Sequence, residues 1–265
     1  MTVKPTRIER AENAQPADPP SSATLPEAAS LFAKYVEAIG GEENIDAHVS
    51  RRYRGTIEVW PWNPGEPMHS DGTPLARGTL NMLMKSPNLL RLKIVVPGQG
   101  SREMVYDGEI GWDQTVNGYA LVQGSTLRDL VDTADFKGEA NYATRYASIE
   151  TMGEVSFQDQ HAYRVKATTP AGREIQIFFD SQTSLILGTQ SSQAQPNGQD
   201  IILVSIWSDY EDVDGVQYPT KIVQLVPGNR RVIEYKRIEA NVVDPFRFDR
   251  PDEVTALLER DASGG

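Results

Sequence analysis

No cysteine occurs among the 265 residues. That excludes disulfides, cysteine nucleophiles and thiolate metal centres together, while leaving the compartment open. Histidine is scarce. His48, His69 and His161 lie far apart and share no metal-ligand spacing, so each reads as a solvated or internally satisfied polar residue. Positive charge is in deficit: 26 Lys and Arg face 37 Asp and Glu, a net charge of −11. Nucleic acid binding needs clustered cations to neutralise phosphates, so this balance argues against a nucleic acid partner. It also argues against docking on anionic lipid by charge alone. No apolar run approaches the ~20 residues that span a bilayer. No basic n-region followed by an apolar h-region opens the chain. A G-x-S-x-G elbow and a phosphate loop are absent too. Gly98-Gln99-Gly100 lacks a third glycine and a following helix, so it reads as a turn.

What is present is mostly β pattern. Hydrophobic residues make up 39% of the chain, as expected for an antiparallel sheet with one wet face. Residues 1–22 are polar and rich in Pro, Ala and Ser. We expect residues 1–23 to be a disordered linker. They read either as the tail of a cytosolic protein, which composition slightly favours, or as a linker behind a removed signal peptide or lipid anchor. Thr24-Leu25-Pro26-Glu27 has the form of a capping box. Ala28, Phe32, Tyr35, Val36 and Ile39 then recur at helical spacing, and Gly40-Gly41 ends the helix. A short helical turn over 42–47 follows. The apolar stripe reads as packing against a sheet, because its polar face lacks the Lys/Arg excess of an interfacial helix.

Strands are expected over 54–59, 78–85, 90–94, 102–106, 110–114 and 119–122. A long loop after the first carries Trp60, Trp62, Met68 and His69. Leu90, Leu92 and Ile94 alternate with Arg91 and Lys93, the mark of a strand with one buried face. The period changes at 125–135, where Leu127, Leu130, Val131 and Ala134 share a helical face. Weaker helical pattern runs over 141–147. A second β block spans 149–242, followed by a short extended stretch, Pro245-Phe246-Arg247-Phe248, and a last helix from Pro251. The fold class is mainly β (α+β): a curled, half-open antiparallel barrel of about eleven strands. The N-terminal, middle and last helices are candidates to cover its concave face. A sheet this large is expected to keep an apolar cavity beneath them. We expect a linker over 1–23, a single β domain over 24–250 and a C-terminal helix and tail over 251–265.

Asp209, Glu211, Asp212 and Asp214 form the densest acidic group. An EF-hand register would put Tyr210 at position one and Lys221 at position twelve, where carboxylates are required, so that reading fails. Strand alternation also sends neighbouring carboxylates to opposite faces. We expect no metal site, no catalytic residues and no cofactor. Asp214-Gly215 is instead a hairpin signal, and Tyr106-Asp107-Gly108 repeats it in the first block.

Several short pieces, in order, resemble one family. They are Ala38-Ile39-Gly40-Gly41, Arg54-Gly55-Thr56, Lys85-Ser86-Pro87-Asn88, Tyr106-Asp107-Gly108 with Gly111-Trp112, and Tyr163-Arg164-Val165. Phe179-Asp180 with Leu185-Ile186 and the run from Asp209-Tyr210-Glu211 to Tyr218-Pro219-Thr220 complete the set. Together they resemble the LolA-like, outer-membrane lipoprotein-sorting superfamily, in a branch distinct from the lipoprotein carrier itself. The resemblance implies a half-open barrel plugged by helices, a periplasmic or cell-envelope location after signal removal, and binding of acyl chains or other apolar ligands. The scaffold also hosts sensor domains and, rarely, an enzyme, so fold does not settle function.

The leading expectation is a periplasmic carrier or binder of a lipid or acyl-chain-like ligand, without covalent chemistry. An envelope sensor or interaction module that binds a protein partner is the alternative. An enzyme on this scaffold comes last. Strand alternation nominates Leu80, Met82, Met84, Leu90, Leu92, Ile94, Met104, Tyr106, Trp112, Ile175, Ile177 and Phe179 as inward, ligand-binding side chains. Plain core packing explains the same residues, though methionine suits a surface that accepts varied apolar shapes.

Overall fold

The computed structural model describes residues 25–66, 72–194, 200–242 and 248–263. The linker expected over 1–23, Met68 and His69 in the long loop, and Pro245, Phe246 and Arg247 lie outside these residues. The first helix, α1 (Ala28–Ala38), starts later than a capping box on Thr24 would place it, with Glu27 as an extended N-cap that makes no side-chain cap. Pro26 disfavours helix in the residue before it. The Thr151 hydroxyl donates to the Pro26 carbonyl at 2.7 Å, which ties this extended entry to the sheet. A short α2 (Gly41–Ala47) follows directly.

Six strands come next: β1 (Ser50–Trp62), β2 (Ala76–Lys85), β3 (Leu89–Val96), β4 (Gly100–Tyr106), β5 (Gly111–Thr115) and β6 (Gly118–Leu121). The helical interruption consists of α3 (Gly124–Ala134), a 3-10 turn (Gly138–Asn141) and the single-turn α4 (Tyr142–Arg145). Seven more strands follow: β7 (Ser148–Phe157), β8 (Gln160–Thr168), β9 (Glu174–Asp180), β10 (Ile186–Ala194), β11 (Asp200–Val213), β12 (Val216–Val226) and β13 (Gly228–Ala240). The chain's last described helix is α5 (Asp252–Ser263).

All thirteen strands, rather than about eleven, form one antiparallel sheet in the order β6-β5-β4-β3-β2-β1-β13-β12-β11-β10-β9-β8-β7. Each half is a meander, because strands consecutive in the chain pair with each other. The halves are joined by β1 pairing with β13, from Arg51 opposite Ala240 to Trp62 opposite Gly228. The free edges are therefore β6 and β7, which are consecutive in the chain. The segment α3–α4 connects them, so the helical interruption necessarily lies at the opening of the curled sheet.

The two expected hairpins differ. Asp214 and Gly215 have φ of 49° and 86°, as a tight two-residue turn between β11 and β12 requires. The turn after Tyr106 is wider. Asp107 accepts the N–H groups of Glu109 and Ile110 at 2.9 Å each, an Asx arrangement that spans four residues before β5 begins.

Apolar residues collect on both faces of the sheet. On the concave face, α1 lays Leu31, Phe32, Tyr35 and Val36 on Val165, Ile177 and Phe179. Beside this pool, α3 lays Leu130 and Ala134 on Leu80, Met82, Met84 and Leu90. The opposite face carries a stacked pair, Phe157 and Phe178, with ring centroids 4.0 Å apart. Another outer pool joins Val105 and Trp112 to Val254 of α5. The last helix thus covers the convex face, not the concave one. Arg250 pairs with Asp107 and Glu109 just ahead of it and fixes that side. Burial pulls the Asp107 carboxyl up, but Arg250 and the two backbone N–H groups override this and hold it below the ordinary value.

Among the described residues, side chains fill the space where an apolar cavity was expected. Leu90, Ile177, Phe179 and Val165 are fully buried. Large covering side chains fill the space: Phe32 stacks on Tyr142 at 4.6 Å and meets Phe179 edge-on at 5.0 Å. Two surface recesses, of about 400 Å³ and 590 Å³, lie elsewhere. One sits between the start of α1 and β7, the other beside the β11–β12 hairpin, and neither is lined by a nominated residue.

Candidate functional site

The register brings eight nominated residues into one patch. Tyr53, Met82, Leu92 and Met104 stand in a row across β1 to β4. Met84, Leu90 and Tyr106 make the next row, and Leu80 with Ile94 the one beyond. All share the concave face and pack as one pool with Val122, Leu127, Leu130, Ala134 and Phe136. Ile175, Ile177 and Phe179 share that face but belong to the neighbouring pool beneath α1. Trp112 does not join either. It pairs with Val105 and so points to the convex face, against α5. The four-residue loop after Tyr106 changes which face the next strand presents, so alternation carried across it misplaces Trp112.

The covers differ in grip. On α1, five side chains are buried. On α3 only Leu130 and Ala134 are buried, and Val131 is 38% exposed. The patch under α3 is also where three methionines, unbranched and adaptable, meet.

A polar seam absent from the nominated residues separates the pools. Arg51 is 8% exposed and lies opposite Met84 on the concave face. One of its terminal N–H groups donates to the Phe136 carbonyl. Its guanidinium carbon sits 4.0 Å from the Phe136 ring centre and 4.9 Å from that of Tyr218. His48 is 3% exposed, and its Nδ1 meets the Tyr218 hydroxyl at 2.8 Å. His48 Nε2 and Arg51 Nε have no hydrogen-bond partner among the described residues. Tyr53 bridges the seam, edge-on to Tyr218 at 6.3 Å and against Tyr235 at 4.9 Å. The signal for Arg51 was available, since it stands two residues before Tyr53 and shares its face. Three of the four side chains in the run Arg51-Arg52-Tyr53-Arg54 are charged, which masks the alternation.

Burial pushes the Tyr218 hydroxyl up to about 12, with the Arg51 charge pulling the other way. Tyr53 is raised by burial against the same opposition. His48 is lowered from 6.5, first by burial and then by Arg51, with the Asp214 carbonyl and the charges of Asp214 and Asp212 opposing. Folded protein therefore takes up this proton later than unfolded chain does. The His48 contribution to stability is intact above about pH 6.5 and is lost as pH falls from there to the folded value. His48→Gln is expected to flatten the stability profile in that window. Urea midpoints measured between pH 7.5 and 5 check this, and an unchanged slope in the variant would contradict it.

Solved structures of similar shape include three bacterial proteins. A DUF1329 family protein from Desulfovibrio piger superposes with a TM-score of 0.56 at 13% identity, over 82% of this chain and 94% of that one. A LolA superfamily protein from Nitrosomonas europaea gives 0.54 at 15% identity, over 87% and 97%. A domain assigned to outer membrane lipoprotein sorting, from Vibrio parahaemolyticus, gives 0.51 at 7% identity, over 86% and 100%. No protein-family model and no curated protein matches this sequence. The chain has the LolA-like fold: a curled, open antiparallel sheet with helices on its concave face. At these identities the likeness is one of fold.

Proposed function

We propose that this protein binds a lipid-like ligand on the concave face of the sheet and carries it within the bacterial cell envelope, holding it without covalent chemistry. The carrying observation is the methionine-rich patch on β2–β4, a continuous apolar surface covered by one lightly anchored helix. An acyl chain replaces α3 on this surface at little net cost, because apolar contact is exchanged for apolar contact. The LolA-like neighbours support the reading at the level of fold. In it, residues 24–250 form the binding body, and the helix from Pro251 is an addition on the far side.

Loading then requires α3 to lift. Leu130→Ala removes its main anchor and is expected to cost about 2–3 kcal/mol. It should also raise the rate of uptake of an apolar fluorescent dye several-fold. Native mass spectrometry and organic extraction after mild purification should find a bound apolar molecule. Protein that carries none and also excludes the dye, in both wild type and Leu130→Ala, would sink the proposal.

A further inference from the structure

Arg51 is a cation placed where an apolar carrier has no need of one. It is buried on the concave face, and no carboxylate among the described residues forms an ion pair with it. Arg230, buried over the Trp60 ring on another part of the sheet, likewise forms no ion pair among the described residues, but three other shielded arginines have carboxylate partners. Arg145 has Asp135 at 2.6 Å, and Arg91 and Arg173 pair with Glu103 and Asp132. In a chain with 37 acidic residues, the lack of one beside Arg51 is not for want of supply. Desolvating a guanidinium without a counter-charge is costly, and the aromatic faces of Phe136 and Tyr218 offset only part of it. Arg51 Nε remains without an acceptor.

The hydroxyls of Tyr53 and Tyr218 lie beside the guanidinium on the sheet, and its backbone acceptor comes from the cover. Phe136 lies between α3 and the 3-10 turn, outside the sheet, and its N–H is held by the Pro87 carbonyl at 3.1 Å. Its carbonyl occupies one Arg51 donor only while the covering segment is down. Lifting that segment bares the guanidinium at the same time as the methionine patch. Met84 stands directly opposite Arg51, so the charge and the apolar surface are contiguous.

We propose that Arg51 is the headgroup site of the ligand, which is an anionic amphiphile: a carboxylate or phosphate held by the guanidinium, with an acyl chain on the β2–β4 patch. This rests on the proposed ligand-binding role of the concave face. A planar guanidinium presents paired donors that match such oxyanions, whereas a neutral headgroup leaves the charge unanswered.

Displacement of a bound apolar dye at pH 8 tests it, using submicellar oleate, methyl oleate, acetate and inorganic phosphate. Wild type is expected to bind oleate at least about tenfold more tightly than methyl oleate. Arg51→Met should reduce that preference below about threefold, read as the ratio of the two affinities so that an equal effect of a loosened cover on both ligands cancels, while Arg51→Lys retains part of it. Equal affinity of wild type for oleate and methyl oleate overturns the headgroup site while leaving the apolar binding face in place. That comparison needs no variant, so a misfolded Arg51→Met does not blunt it. A full preference in Arg51→Met overturns it too. Displacement by acetate or phosphate alone, as strong as by oleate, makes this a free-anion site and overturns the amphiphile. Failure of both oleate and methyl oleate to displace dye overturns the binding face along with the headgroup site.

Discussion

Gly40→Ala is expected to destabilise the protein by about 3 kcal/mol or more. A Cβ at Gly40 would lie 2.1 Å from the Gly215 carbonyl oxygen, and Gly40 has a φ of 127° that L side chains rarely adopt. The neighbour is backbone of the β11–β12 hairpin, so no side chain can swing aside. The hairpin is also held there by the Gln217 N–H donating to the Ile39 carbonyl at 2.8 Å. Gly41→Ala is the control. Gly41 has a φ of 81°, but its nearest neighbour would be a Glu37 carboxylate oxygen at 4.0 Å. It should cost only about 1 kcal/mol. Urea unfolding of both variants separates backbone strain from collision, and equal losses would refute the close docking of hairpin on helix.

Phe32→Ala carries the other large effect, about 3–5 kcal/mol. Phe32 is fully buried and touches Tyr142, Tyr146 and Phe179, so its loss opens a cavity lined by rings with little freedom to collapse. The consequence reaches function. α1 is the firm cover of the concave face and α3 the releasable one, so Phe32→Ala should lower global stability more than Leu130→Ala does. Chemical denaturation midpoints for the two variants decide it. A larger loss from Leu130→Ala would reverse the assignment of the covers.

Much of the strand pattern is legible because it is local. In β3, Leu90, Leu92 and Ile94 alternate with charged residues, and Asp214-Gly215 has few alternatives to a tight turn. Eight of the twelve nominated residues meet in one patch because they lie on β2–β4, where short turns preserve the phase of alternation. Trp112 fails because the Asp107 Asx turn inserts a loop whose length depends on side-chain hydrogen bonds, not on hydrophobic period. Even the short edge strands β5 and β6 match the strands expected over 110–114 and 119–122. The filled concave face was not legible, since it follows from how Phe32, Tyr142 and Phe136 fill the space under the helices.

The sequence by itself determined that this protein is an antiparallel β structure interrupted once by helix, without cysteine chemistry, with an apolar face rich in methionine. Those properties follow from composition and from short-range periodicity, which need no tertiary partner. Only the tertiary structure decided the pairing of β1 with β13, the placement of α5 on the convex face and the isolation of Arg51 between two apolar pools. Each depends on residues far apart in the chain. Whether a buried charge has a partner is a question of what the fold brings beside it, and no local pattern around Arg51 answers it.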